Sequence, residues 1–136
     1  MVKKSWLEKF DAVKEAQVKR VYNSFADVPA GSRMLIPTPK IIDDYIKSIP
    51  KGVVVSVQTM RQDLALDNGA DFTCPLTAGI FLRIVAELAY EKHLKTKKLK
   101  GITPFWRVVD LHSNLANKLT CSKDFIIKNR EGEVEQ

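Results

Sequence analysis

The sequence predicts a mainly α-helical fold with short β segments, of the winged helix-turn-helix type, preceded by an N-terminal helical extension. Hydrophobic residues recur every three or four positions in several segments, which is the spacing of an amphipathic helix. Short runs rich in β-branched residues separate these segments. The resulting order is helix, short strand, helix, tight link, helix, strand, which is typical of a winged helix. We therefore assign residues 1–33 to the extension and residues 34–136 to the winged-helix domain.

The extension is predicted to be one amphipathic helix over residues 5–26. Ser5 is a suitable N-cap, and Glu8 three residues later completes a capping box. Apolar positions spaced by three and four follow from Trp6 onward, and lysines fill the other face of the helix. The turn-forming run at residues 27–32 then ends the helix and marks the domain boundary.

Two helices follow the boundary. The first is predicted over residues 39–48, with Thr38 as its N-cap and a proline at its first position, where the missing N–H is harmless. A β-branched run at residues 53–55 predicts a short strand. Ser56 then caps a helix over residues 57–67, which an Asn-Gly pair ends.

The longest predicted helix runs from Cys74 to about His93, with Thr73 as its N-cap. Its apolar residues, which include Leu76, cover so broad an arc that burial on most sides is expected. A lysine-rich connector over residues 92–100 leads to the last elements. These are a strand at 105–109, a helical turn at 114–119 and a helix or strand at 124–129.

The composition suits a soluble, cytoplasmic protein of 136 residues with 45% hydrophobic and 28% charged residues. No apolar run is long enough for a membrane helix, and no secretory signal is recognisable. Cys74 and Cys121 lie outside any metal-ligand spacing, so we expect neither a metal nor a cofactor. The net charge of +6 favours polyanionic partners such as DNA.

The most informative segment reads Ile-Thr-Pro-Phe-Trp-Arg-Val-Val at residues 102–109. It resembles the active-site strand Pro-Cys-His-Arg-Val of the O6-alkylguanine-DNA alkyltransferase family. We call this motif the family's active-site frame. Pro104 and Arg107 match its proline and arginine, whereas Phe105 is at the position of the cysteine nucleophile and Trp106 at that of the histidine. Three further motifs resemble that family in the right order, and the resemblance covers roughly residues 36 to 132. They are Ile-Pro-Lys-Gly at 49–52, Val-Val-Ser-Val-Gln-Thr at 54–59 with Leu-Ala at 64–65, and Glu-Gly at 131–132.

The resemblance implies a winged-helix domain that binds DNA and recognises an alkylated base. In that family a cysteine thiolate, activated through a histidine and a glutamate, accepts the alkyl group. Phe105 and Trp106 cannot perform these steps, and Glu131 is the only remaining candidate of the relay. The sequence is therefore more similar to the non-catalytic alkyltransferase-like branch, which binds lesions for DNA repair. We expect no enzymatic activity.

Candidate site residues fall into two groups. The family's active-site frame predicts a pocket formed by Pro104, Phe105, Trp106, Arg107 and Glu131. Adjacent residues of a strand point to opposite faces, so only one of the two aromatic residues could face that pocket. Double-stranded DNA is expected to contact the starts of two helices, one arginine further along and the lysine-rich connector. These residues are Ser56, Gln58, Thr59, Arg61, Thr73, Leu76, Thr77, Arg83, Lys97 and Lys98.

Several of these residues have a plainer structural interpretation. Thr73 is equally suited to capping, Leu76 to the core, and the connector lysines to a solvated face. The alternative function is a protein-interaction module in which the winged-helix scaffold has lost DNA binding. Transfer to Cys74 or Cys121 is disfavoured, since neither lies in the active-site frame.

Overall fold

Six α-helices, three short β-strands and one turn of 3-10 helix make up residues 3–134, the part of the chain that the computed structural model describes. The helices are α1 (Trp6–Ala12), α2 (Pro39–Ser48), α3 (Val57–Asp67), α4 (Pro75–Thr96), α5 (Asn114–Lys118) and α6 (Lys123–Val134). The strands are β1 (Gln17–Arg20), β2 (Arg33–Ile36) and β3 (Phe72–Thr73), and the 3-10 turn is Phe105–Arg107. The fold is thus helix-rich with one small sheet.

The sheet has the order β1-β2-β3. Strand β1 pairs antiparallel with β2, with Gln17 opposite Ile36, and β2 pairs parallel with β3, with Leu35 opposite Thr73. The prediction of one helix over residues 5–26 is therefore wrong beyond Ala12. The capping box of Ser5 and Glu8 is present, but the later residues pair with β2, and this tertiary pairing overrides their helical spacing.

Helices α2 and α3 begin and end where the sequence predicts. The hydroxyl of Thr38 accepts a hydrogen bond from the N–H of Ile41 at 3.1 Å, and that of Ser56 accepts one from Thr59 at 3.0 Å. These contacts are local, so the sequence alone is sufficient to identify them. Each helix has an apolar side that faces the core, where Ile42, Ile46, Met60 and Leu64 are fully or almost fully buried, whereas Leu66 at the end of α3 is exposed.

Two predicted strands are absent from the described residues. Residues 53–55 are extended without belonging to a sheet, and the N–H of Val55 donates to the carbonyl of Arg107 at 2.7 Å. The predicted strand at 105–109 begins instead as the 3-10 turn. A strand would place Phe105 and Trp106 on opposite faces, whereas this tighter turn allows both aromatic side chains to enter the core.

Helix α4 lies at the centre of the fold and packs against both α1 and α2. One side of it carries the main core residues, including Phe81, Leu82 and Val85. The expectation that α4 is buried on most sides is wrong for its first two turns, where Leu76 is 59% and Ile80 48% exposed. Within residues 3–134 this side of α4 near its start is only partly covered, so apolar side chains of the helix are left open to solvent.

The start of α4 also differs from the prediction. Cys74 is the N-cap residue, without a side-chain capping bond, and Pro75 occupies the first turn. Thr73 instead belongs to β3, and its hydroxyl donates to the carbonyl of Arg61 at 2.6 Å. No helix within residues 3–134 is long and apolar enough to cross a membrane.

Candidate functional site

The residues of the family's active-site frame form a filled aromatic cluster. Phe105 is completely buried and Trp106 is 5% exposed. The ring of Phe105 stacks on that of Phe125 with centroids 5.9 Å apart, and Trp106 meets both rings edge-on. The prediction of a pocket at these residues is therefore wrong, because aromatic side chains occupy the space that a base would need.

The glutamate that contacts this cluster is Glu133. Its Oε1 accepts the indole N–H of Trp106 at 2.6 Å, and its carboxylate pairs with the guanidinium of Arg107 at 2.9 Å. Glu131, the residue predicted for this role, is exposed. The correction follows from the geometry of α6, in which residues two apart point to different sides of the helix.

A network of hydrogen bonds around Glu133 joins two of the motifs on which the family resemblance rests to α6, the helix that carries the third. The backbone N–H of Gly52 donates to Oε2 of Glu133 at 2.9 Å, and Arg107 donates to the carbonyl of Ile49 at 2.6 Å. Arg130 donates to the carbonyls of Trp106 and Val109. The turn at residues 49–52, the segment at 104–109 and the C-terminal helix are thus held together.

The surroundings of Glu133 favour the ionised form of its carboxyl group. Burial alone would raise the pKa of its carboxyl group, but hydrogen bonds from Arg107, the Gly52 N–H and Trp106 outweigh burial and lower that pKa. Glu133 is therefore ionised at neutral pH. Its partners among residues 3–134 are hydrogen-bond donors, and through them the carboxylate links the turn at 49–52 and the 3-10 turn to α6.

An open groove lies elsewhere, between α1, the start of α4 and α5. Its volume is about 630 Å³. Apolar side chains form much of its surface, among them Trp6, Leu76, Ile80 and Leu115. We call this site the α1–α4 groove.

The α1–α4 groove is strongly cationic. Lys4, Lys9, Arg83 and Lys118 line it, and none of the described residues that line it is acidic. The carboxylate of Glu8 interacts with Lys4 but does not line the groove. The four positive charges of the lining favour the approach of anions. The groove therefore combines an apolar interior with a positive electrostatic potential.

Trp6 and Arg83 connect the two main walls of the groove. The ammonium of Lys9 lies 4.3 Å and the guanidinium carbon of Arg83 5.5 Å from the centroid of the Trp6 ring. Arg83 also donates to the carbonyl of Lys118 at 3.5 Å, while its buried Nε has no hydrogen-bond partner among the described residues. Because this Nε is buried, a ligand in the groove could be reached only by the terminal nitrogens of Arg83.

Of the ten residues predicted to bind DNA, Leu76 and Arg83 line this groove. Thr77 follows Leu76 on α4 and is half-buried. Arg61 and Thr73 bind each other and stabilise the fold, and Arg61 also pairs with Asp27 at 2.8 Å. Both side chains thus have partners within the fold, and their contact with DNA stays a prediction.

The start of α3 is less suited to phosphate than expected. Ser56 uses its hydroxyl to cap the helix, and Gln58 and Thr59 are exposed. A cavity of about 190 Å³ beside Gln58 is lined by Asp27, Asp71 and Arg61, and its two carboxylates against one guanidinium disfavour phosphate. The start of α3 and the start of α4 thus present different electrostatic surfaces.

Lys97 and Lys98 lie at the opposite end of α4 from Leu76. Lys97 ends the helix in a left-handed conformation with a φ of 60°, and both lysines are exposed. With a rise of about 1.5 Å per residue, they are roughly 30 Å from Leu76 along the helix axis. The structure does not bring them together with the α1–α4 groove.

Sequence reasoning did not identify the contribution of the extension and of α5 to this groove. Lys4, Trp6 and Lys9 come from the extension, and Leu115 and Lys118 from α5. The spacing of Lys4, which precedes α1, and Lys9 around Trp6 was visible in the sequence. Their proximity to Arg83 was not, because it depends on how α1 packs against α4.

Comparisons with known proteins add no assignment. No family model matches the chain, and neither the curated proteins nor the solved structures include a match.

Proposed function

We propose that this chain is a non-catalytic DNA-binding protein similar to the alkyltransferase-like proteins, and that the α1–α4 groove is the centre of its interface with DNA. The observation that carries the proposal is the cationic groove beside the exposed start of α4. In the winged-helix interpretation, α3 and α4 are the paired helices and α4 is the one that enters a groove of DNA.

The charges of the groove support the choice of DNA. Each Lys or Arg that neutralises a phosphate releases counterions, which favours binding at low salt. Lys4 and Lys9 lie on one wall, Arg83 on another and Lys118 on α5, so cations surround the exposed Leu76. An apolar side chain flanked by cations on a helix is suited to contact base edges or the space between base steps.

The absence of a usable nucleophile supports a non-catalytic role. Phe105 occupies the frame position of the cysteine, and Cys74 and Cys121 are both buried. Burial, together with the nearby carboxylate of Glu87, raises the pKa of the Cys121 thiol to about 11. A thiol with such a pKa is almost entirely protonated at neutral pH, and alkyl transfer requires the thiolate.

The alternative is the protein-interaction module. The apolar interior of the groove favours it, because Leu76 and Ile80 would be shielded from water by a protein partner as well as by DNA. In that case the four cations would select an acidic partner.

The test is a fluorescence anisotropy titration of labelled duplex DNA at several salt concentrations. We expect binding that weakens steeply as salt rises, and slopes reduced by about one in Arg83→Ala and in Lys118→Ala. Lys128→Ala is the matched control, since Lys128 is exposed on α6 and does not line the groove. A duplex carrying O6-methylguanine tests preference for an alkylated base. Absence of binding to all duplexes at low salt would refute the proposal.

A further inference from the structure

We infer that the α1–α4 groove binds a nucleobase that has left the base stack, together with the phosphates on either side of it. This inference rests on the proposed function and specifies the ligand: a single-stranded nucleotide or an unpaired base within a duplex. It also assigns a binding role to Trp6, a residue of the N-terminal extension.

The first argument is the distribution of free space. The cluster of Phe105 and Trp106 is filled, so an unstacked base cannot enter at the family's active-site frame. The α1–α4 groove is open, and its volume of about 630 Å³ falls within the range of small-molecule sites. Space for a base is therefore found beside the start of α4.

The second argument is the chemistry of the groove interior. The indole of Trp6 offers an aromatic surface, and Leu76 and Ile80 offer aliphatic surface from α4. Aromatic side chains hold bases of single-stranded nucleic acids by stacking, and this contact tolerates any base. A fully paired base keeps its faces covered by its neighbours, so only an unstacked base gains from these apolar surfaces.

The third argument is the position of the cations. Lys9 and Arg83 lie over the Trp6 ring, at 4.3 and 5.5 Å from its centroid. A base that stacks on the indole would displace at least one of them toward the neighbouring phosphates. Lys4 and Lys118 also line the groove, so cations are available for phosphates on both sides of the base.

The experiment measures the affinity of the full chain for three DNAs that share one labelled strand. In the first DNA this strand is fully paired. In the second its complement lacks one adenine, so that one thymine is bulged, and in the third the strand is single. We expect the bulged duplex and the single strand to bind about 10-fold more tightly than the paired duplex. Trp6→Ala should bring the affinities for the three DNAs close together, because the bulged duplex and the single strand lose more binding than the paired duplex. Leu7→Ala is the matched control, because Leu7 lies on the same helix, is 54% exposed and does not line the groove.

A second variant guards against disruption of α1. Leu76 is 59% exposed, so Leu76→Ala should leave the fold intact and still reduce the preference for the unpaired base. Equal affinity of the wild-type chain for all three DNAs would overturn this inference and leave the proposed function standing. Binding of an acidic amphipathic peptide with no binding of any DNA would overturn both and support the interaction module.

Discussion

The indole N–H of Trp106 donates a 2.6 Å hydrogen bond to the carboxylate of Glu133. In the resembled family a histidine and a glutamate activate a cysteine. Here an indole, which can donate but not accept a proton, takes the histidine position and contacts a carboxylate held by Arg107. The pair joins α6 to the 3-10 turn at Phe105–Arg107, and its effect is on stability.

Removal of the Glu133 carboxylate should destabilise the protein strongly. Glu133→Ala leaves the guanidinium of Arg107, whose side chain is 14% exposed, without its charged partner. We expect the free energy of unfolding to fall by about 3 kcal/mol. Urea denaturation measures this change. Glu131→Ala is the control and should change stability by less than about 0.5 kcal/mol; the reverse ranking would restore Glu131 to the cluster.

Glu133 should also make stability depend on pH. The unfolded carboxyl has its ordinary pKa of 4.5, and the folded one has a lower pKa, so the unfolded state takes up the proton first. The contribution is fully present above pH 4.5 and is lost as the pH falls through the folded pKa. Urea denaturation from about pH 7 to about pH 3 should show a flatter dependence in Glu133→Gln. Parallel curves for the two proteins would contradict this assignment.

A cysteine introduced at the position that the resemblance assigns to the nucleophile should not produce alkyl transfer. Phe105→Cys places a thiol in a completely buried aromatic cluster beside Trp106, which cannot act as a base. We expect no methyl adduct after incubation with an O6-methylguanine oligonucleotide, as measured by mass spectrometry of the intact protein. The loss of the Phe105 ring should also cost about 3–5 kcal/mol of stability. A methyl adduct on the wild-type chain would disprove the non-catalytic assignment itself.

The role of Lys97 and Lys98 should depend on the length of the DNA. Arg83 and Lys97 are 14 positions apart, or roughly 21 Å along α4, which corresponds to about six base pairs. The double variant Lys97→Ala, Lys98→Ala should therefore weaken binding of a duplex of about 16 base pairs and reduce its salt slope by up to two. A duplex of about six base pairs centred on the groove should bind unchanged. Equal effects on both duplexes would show that these lysines act only through net charge.

The features that sequence predicted well are those set by neighbours along the chain. Ser5, Thr38 and Ser56 all cap helices as expected, since a cap requires only a side chain and the next three residues. The features it missed depend on distant residues. Residues 17–20 form a strand because β2 lies beside them, and the exposure of Leu76 depends on what α1 leaves uncovered.

The candidate site shows the same difference between features set by neighbouring residues and features set by distant ones. The sequence motif covers residues 104–107, but the ring that packs on Phe105 comes from Phe125. The carboxylate partner of the motif is Glu133, two positions after the predicted Glu131 on α6. A one-dimensional motif identifies Glu131-Gly132, whereas the helical rotation decides which glutamate reaches Trp106. The α1–α4 groove brings together the extension, α4 and α5, and no local pattern encodes that arrangement.

Helix α1 has only seven residues, and none of them is fully buried. It nevertheless supplies Trp6 and Lys9 to the groove, and Lys4 from the residues just before it also lines the groove. An element with so little buried surface opens by local fluctuation at a lower free energy than the core around α4. Amide hydrogens of α1 should therefore exchange with solvent long before those of α4. DNA binding would then be lost at a temperature below the melting temperature of the protein, and heating would release DNA from a chain that is still folded.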